Sequence, residues 1–494
     1  MQRESVLMAP ASPAARSAWL AVIAGIALIA LWRALVAAGI PLSVDESYYV
    51  AWSKTPDFGY WTKPPMIAWA IGAARSVCGE SPGCVRMVPV LAFPISTMLM
   101  FGLARRLSFS PAQAGVAALA FATMPMASFY GIAATTDGLL ILFWIAAMLS
   151  LRIALDGHRA AWLVTGLFAG LALLSKYSAG VFALSAALAL LHPQWRHWWR
   201  TRWPWLAAAV AALVFSPNLW WNLTHGAPTL RHTAEISEHS GYALHPLAML
   251  EFLVSQFGVG GPVLFGGFIA WLASRRWRAT SDGWFLLSLS LPFLAVISMQ
   301  ALLSRANANW AAPTMVAASL AAVHFLLQRR RGWLIASFAF NLALAALLYH
   351  FDVLVREPMG LPHVVRTDPF WATRNWPGIH AQVRDALQKS PQPGAGMHVA
   401  SDDRTVLAQL QAALELPPGG ALGWQRRGHA NNHFDQRFPL PEHPDFPVLL
   451  VSAAPEEQVL AAFPSAQAAG VARSDALKDR PLEFRLWWLL PTPR

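Results

Sequence analysis

Apolar residues run through this chain in long unbroken stretches, at 18–31, 116–122, 139–151 and 206–215 among others. Each stretch is embedded in a segment that could cross roughly 30 Å of hydrocarbon. The runs are apolar all round and longer than a membrane strand needs, so they predict helices; barrel strands would alternate with a period of two. About eleven spans follow, at 18–40, 85–107, 112–129, 138–155, 161–175, 179–191, 205–221, 247–273, 283–303, 310–327 and 333–351. The predicted fold class is a polytopic α-helical membrane protein.

After residue 351 the pattern changes: proline and charged residues become frequent and no span-length apolar run remains. Residues 397–401 and 448–452 read as short strands, 404–414 and 456–463 carry helical spacing, and 483–490 reads as a last strand. The expectation is a membrane domain at 1–351 followed by a small α/β domain at 352–494. The connection at 41–86 is too long for a simple hairpin, and long ordered loops usually carry function. Inside it, 66–76 has helical apolar spacing but is too short to span, which predicts a helix along the membrane surface.

Composition agrees with the pattern: of 494 residues, 56% are apolar and 13% charged, and mean hydropathy is +0.41, outside the soluble globular range. The formal charge of +11 could suggest nucleic acid, so the placement of the arginines decides. They sit in alternate connections: Arg105 and Arg106, Arg152 and Arg159, Arg196, Arg200 and Arg202, Arg275, Arg276 and Arg278, then Arg329, Arg330 and Arg331. The positive-inside rule makes these cytoplasmic, together with Arg3 and Arg16, and excludes a nucleic-acid partner. The other connections are longer and mixed in charge. They hold Asp45, Glu46, Lys54, Asp57, Lys63, Asp137, Lys176, Arg231, Glu235, Glu238 and Arg305, and they face outward with everything after residue 351. The first run is longer than the apolar core of a signal peptide, which favours an uncleaved span. Cys78 and Cys84, with five residues between them on the predicted outer side, fit either a disulfide or two unpaired thiols; their spacing is not that of a metal site.

The 41–86 loop opens Ser43-Val-Asp-Glu-Ser-Tyr-Tyr and continues Asp57-Phe-Gly-Tyr-Trp-Thr-Lys-Pro-Pro. Two adjacent carboxylates at the lip of the bilayer are costly unless a cation, a hydrogen-bond network or a reaction requires them. Asp137 follows Thr135 and Thr136 at a helix start, where capping also accounts for it. His225, His232, His239 and His245 with Glu235 and Glu238 fit either a divalent-cation site or a solvated loop, and the sequence assigns no metal and no other cofactor. Trp52, Tyr60, Trp61, Trp220, Trp221 and Trp310 lie near predicted interfaces, where an aromatic belt accounts for most of them.

The Asp-Glu of this loop followed by an aromatic segment ending in Lys-Pro-Pro resembles the glycosyltransferase family 39 and aminoarabinose-transferase type of integral-membrane, C-type glycosyltransferases, related to the dolichyl-phosphate-mannose protein mannosyltransferases. The resemblance extends through Thr135-Thr-Asp-Gly, Leu174-Ser-Lys-Tyr-Ser, Ser216-Pro-Asn-Leu-Trp-Trp-Asn with Arg231-His-Thr, and Ala306-Asn-Ala-Asn-Trp-Ala-Ala-Pro, so it covers the membrane region. It implies that Asp45 is the essential acid, with Glu46 beside it and Asp137 as the second acid. It further implies a polyprenyl (undecaprenyl) phosphate sugar donor whose phosphate meets Lys63. Arg305, just before Asn-Ala-Asn-Trp, and Lys176, a charge between two short apolar spans that needs an anion or water, are further candidates for that phosphate. Tyr60, Asn218 and Asn309, which lie in these motifs, are candidates for substrate binding.

The expected activity is sugar transfer to a cell-envelope acceptor such as lipid A or lipopolysaccharide at the outer face of a bacterial inner membrane. Transport or flipping of lipid-linked sugars and protein O-glycosylation are the alternatives. A secondary transporter would place ionisable residues near the midplane of interrupted helices and would often show an internal repeat; here the carboxylates lie at outer ends and no repeat is visible.

Overall fold

The computed structural model describes residues 13–237, 244–392, 396–426 and 428–491. Arg3, Glu238 and His239 lie outside the described residues, as do the side chains of Arg16 and Glu235. The chain is mostly helical with a small C-terminal sheet, as the hydrophobic pattern predicts. Among the described residues six helices are long and apolar enough to cross a membrane: Trp19–Gly39, Pro82–Arg106, Thr136–Leu155, Trp203–Thr224, Ser281–Leu303 and Gly332–Tyr349.

Other predicted spans are shorter or broken. Pro246–Gly260 and Pro262–Ala273, expected as one span, are bent by 118° at Gly261, which has φ +83°. Ala161–Ser175 has 15 residues and Val181–Ala189 has 9. At 1.5 Å per residue these reach only about 22 and about 14 Å, short of the roughly 30 Å hydrocarbon layer. A count of eleven full crossings therefore does not follow from the helices. An apolar run records burial away from water, and burial against protein leaves the same signature as burial in lipid.

The chain divides into two compact units. One takes the chain up to Val36 and then Met87–Ala345; the other takes Ala37–Arg86 and Ala346–Arg494. In the first, small residues let helices approach closely. A β-carbon on Gly166 would overlap the carbonyl oxygen of Ala207, and one on Gly170 would lie 2.7 Å from Val214 Cβ, so Ala161–Ser175 packs on Trp203–Thr224 through a glycine face. Connections predicted to be cytoplasmic converge in this unit: Arg152 pairs with Asp156 and, at 3.0 Å, with Asp282, while Arg106 approaches Asp156. Large exposed side chains such as Leu28, Leu35 and Leu213 are what a lipid-facing surface requires.

In the second unit five strands pair in the order β2-β1-β3-β5-β4, where β1 is Val399–Ser401, β2 Ala421–Gly423, β3 Val448–Ser452, β4 Gln467–Ser474 and β5 Leu482–Leu489. β1 is parallel to both β2 and β3, with Val399 opposite Ala421 and Leu449. β5 is antiparallel to β3 and β4, and a bulge lies between Ala468 and Gly470. The helices Arg404–Ala413 and Glu456–Ala462 fall where helical spacing placed them. Residues 37–86 belong to this same unit. Lys54 Nζ donates to the Leu416 carbonyl at 2.6 Å, Gln409 Nε2 donates to the Leu42 carbonyl at 3.2 Å, and Cys78 is disulfide-bonded to Cys84.

Gly166→Leu should prevent the close helix contact and eliminate the monodisperse peak in detergent size-exclusion chromatography, while Gly166→Ala should cost roughly 1–3 kcal/mol of overpacking, read as a lower thermal midpoint.

Candidate active site

The two adjacent carboxylates of the 41–86 loop have opposite environments. Ser43 caps the helix Val44–Ser53: its hydroxyl accepts from the Glu46 N–H, and the Glu46 carboxylate accepts from the Ser43 N–H, a reciprocal capping box. Glu46 is 1% exposed and takes two 2.7 Å bonds from Arg86, through Nε and Nη2. The remaining N–H groups of Arg86 reach the carbonyls of Ala37, Ile40 and Pro41. Glu46 is thus committed to holding the helix start. Asp45, one residue earlier in the same first turn, is exposed and has no ion-pair or hydrogen-bond partner among the described residues. It sits where the helix dipole and free amides favour an anion.

Further along the loop, Tyr60 is 1% exposed. Its ring stacks on Trp52 at 4.8 Å, and its hydroxyl donates towards the carbonyls of Trp52 and Thr55 and accepts from the Asp57 N–H. Tyr60 therefore shapes the loop and offers little to a ligand. Lys63 is half-buried, its carbonyl accepts from the Tyr60 N–H at 3.2 Å, and it precedes the buried Pro64 and Pro65 that lead into the helix Met66–Cys78. Glu80 is paired with Arg75.

The first unit holds the other candidates. Asp137 lies in the first turn of Thr136–Leu155, and its carboxylate accepts from Lys176 Nζ at 2.8 Å, with side-chain exposures of 9% and 18%. Capping does not explain it, because Thr135 makes no side-chain cap bond and the aspartate reaches across to another segment. Lys176 has an extended backbone between Ala161–Ser175 and the single turn Tyr177–Gly180, so the interruption of the short apolar helices is what delivers its charge.

Asn218 is fully buried and accepts from the Tyr177 hydroxyl at 2.8 Å, and that hydroxyl accepts from Asn222 at 3.0 Å. The Ser-Pro-Asn motif has a backbone cause. Pro217, inside Trp203–Thr224, cannot donate to the Leu213 carbonyl, and Ser216 Oγ donates to that carbonyl instead at 2.8 Å. Asn309, in the turn Ala308–Ala311, approaches the buried Tyr130 hydroxyl. Arg305 is exposed and has no ion-pair partner among the described residues. The histidines at 225–245 form no metal-ligand group among the described residues; the one such group is Asp352, His363 and Asp368, where Arg356 and Arg374 already pair with the carboxylates.

Two arginines escaped the reading of motifs. Arg86 supports the helix start. Arg33, a lone charge inside the first apolar run, is 3% exposed, donates to the Ala122 carbonyl at 2.6 Å and lies over the Phe93 ring at 5.5 Å. A β-carbon on Gly131 would come within 2.7 Å of its side chain, so Arg33 packs on the segment that leads to Asp137. The signal was present: an arginine within a span is costly enough to require a role.

Comparison with known proteins adds a lineage to this geometry. Residues 62–221 match the dolichyl-phosphate-mannose-protein mannosyltransferase family. Over 404 residues the chain is 32% identical to a lipid A galacturonosyltransferase of Rhizobium johnstonii, covering 81% of this chain and 83% of that one. Over 168 residues it is 32% identical to an undecaprenyl phosphate-alpha-4-amino-4-deoxy-L-arabinose arabinosyl transferase of Pseudomonas aeruginosa, covering 31% of this chain and 29% of that one. The fold is similar to that of ArnT from Cupriavidus metallidurans bound to undecaprenyl phosphate, with a TM-score of 0.68 and 14% identity over 96% of this chain and 99% of that one.

Arg86→Ala should leave the Glu46 carboxylate buried and unpaired and cost about 3–5 kcal/mol, seen as a fall in the thermal midpoint. Removing both charges, as Glu46→Leu with Arg86→Met, should recover most of that loss; a double variant as unstable as the single one would contradict a pairing role.

Proposed function

Because the chain belongs to the integral-membrane, C-type glycosyltransferases that include the lipid A galacturonosyltransferases and aminoarabinose transferases, we propose that it moves a sugar from undecaprenyl phosphate to lipid A or the lipopolysaccharide core at the outer face of a bacterial inner membrane. Galacturonic acid is the donor sugar that best fits, since the relative matched over most of both chains is named for it. The observation that carries the reading is Asp45: an exposed carboxylate without a partner among the described residues, on a helix turn fixed by its buried neighbour.

In the proposed reaction an acceptor oxygen attacks the anomeric carbon as the bond from that carbon to the phosphate oxygen breaks. The polyprenyl phosphate leaves with the bonding electrons, and one displacement inverts the centre. Where the acceptor is a hydroxyl, Asp45 takes its proton as the glycosidic bond forms. Where it is a phosphate, the nucleophile is already anionic and Asp45 orients it. Charge grows on the departing phosphate, and fixed cations stabilise that charge more in the transition state than in the ground state. Lys63, on the loop that carries Asp45, is the cation proposed for this task. In the other unit Arg305 is a further candidate for it, and Lys176 is matched to Asp137, which reduces its net field.

Purified Asp45→Asn, assayed with undecaprenyl-phosphate-linked galacturonic acid and lipid A, should lose about 100-fold or more of the transfer rate while keeping its size-exclusion profile. Wild-type turnover in that variant would overturn the role of Asp45. Lys63→Met should slow the same step by stabilising the leaving phosphate less, and a larger deficit with the poorer leaving group of a donor analogue would separate this from loop damage.

A further inference from the structure

The C-terminal sheet contains a topological switch. From β1 the chain crosses through Arg404–Ala413 to β2 on one side, then returns past β1 to β3 on the other. In open parallel sheets the crevice outside the carboxyl ends of the two strands flanking such a reversal is where ligands bind. Here those ends are Ser401 with Asp402, after β1, and Ser452, the last residue of β3.

The residues at this crevice are polar and incompletely used. Ser452 Oγ donates to Asp402 Oδ1 at 2.6 Å, and Arg426, from the segment after β2, pairs with Asp402 Oδ2 at 2.9 Å. Their side chains remain reachable, 16% exposed for Asp402 and 38% for Arg426. A carboxylate offers about four acceptor sites and a guanidinium five donors, so both retain capacity after these contacts. An ion pair serving only the fold would gain little at this exposure.

The same edge leads to the helix that carries Asp45. Arg404 lies over the Tyr48 ring at 5.5 Å, and the Tyr48 hydroxyl accepts from the backbone N–H of His433 at 2.8 Å. Tyr48 is three residues from Asp45 on one helix face. His433, 6% exposed beside Tyr48, Trp52 and Tyr60, keeps Nε2 without a hydrogen-bond partner among the described residues.

We propose that the β1–β3 crevice binds the anionic sugar headgroup of the acceptor, with Asp402 accepting from sugar hydroxyls and Arg426 donating to anionic oxygens. The inference rests on the sugar-transfer reading above. It assigns acceptor choice to the C-terminal domain, through a segment joined by Tyr48 to the helix bearing the essential acid.

The test uses full-length enzyme in nanodiscs, with lipid A as acceptor and saturating lipid-linked galacturonic acid as donor. Arg426→Ala and Asp402→Ala should raise the acceptor KM about tenfold or more, with kcat and the donor KM near wild type. Arg426 is exposed enough that its variant folds even where the aspartate variant does not. In a second arm, saturation-transfer NMR with the deacylated, phosphorylated glucosamine disaccharide reports binding directly. Signal in wild type and Asp45→Asn, lost in Arg426→Ala, supports the site even where no transfer is detected, an outcome that would remove the sugar-transfer reading alone. An unchanged acceptor KM in Arg426→Ala, or an undiminished saturation-transfer signal in that variant, overturns the proposal.

Discussion

All five N–H groups of the Arg86 guanidinium are used, two by the Glu46 carboxylate and three by the carbonyls of Ala37, Ile40 and Pro41. A buried ion pair is tolerable only when its remaining lone pairs and protons are satisfied, and this one meets that condition on the guanidinium side completely. The consequence is mechanical. The end of the first span, the start of the helix Val44–Ser53 and Arg86, near the start of the apolar segment Pro82–Arg106, are tied at one point. Asp45 is then held in a fixed turn while its own carboxylate is exposed and has no partner among the described residues.

The other unit solves the same problem in hydrocarbon. At the kink in Trp203–Thr224 the carbonyl of Leu213, which Pro217 leaves open, accepts from Ser216 Oγ. On Thr136–Leu155 the charges lie at the ends, with Asp137 paired to Lys176 at one and Arg152 to Asp156 and Asp282 at the other. The interruption after Ser175 places Lys176 beside Asp137, and the break at Gly261 bends a run that is continuous in hydropathy.

Hydropathy made the membrane class legible, and the strands 448–452 and 483–490 were visible because buried β-branched and aromatic residues cluster there. β4 was not, because Gln467–Ser474 is largely exposed and lacks alternation, and β2 has only three residues. At the site, residue type located the candidates without separating their tasks. Asp45 and Glu46 are adjacent acids in sequence, and only the distant Arg86 distinguishes them. Tyr60 and Asn218 belong to the motifs that carry the resemblance, yet both are buried and hydrogen-bonded within the protein. For Glu46 and Asn218 the deciding partner is about 40 residues away, which no local pattern encodes, whereas the partners of Tyr60 are local.

If the proposed transfer of a lipid-linked sugar takes place, its product lies in the envelope of the cell that encodes this protein. Mass spectrometry of lipid A and lipopolysaccharide core from a deletion strain, set against its parent and a strain complemented with the intact gene, tests this most directly. The proposed function predicts loss of one sugar substituent in the deletion strain and its return on complementation. Identical lipid A and core glycans in all three strains, under conditions where the protein is made, would contradict it.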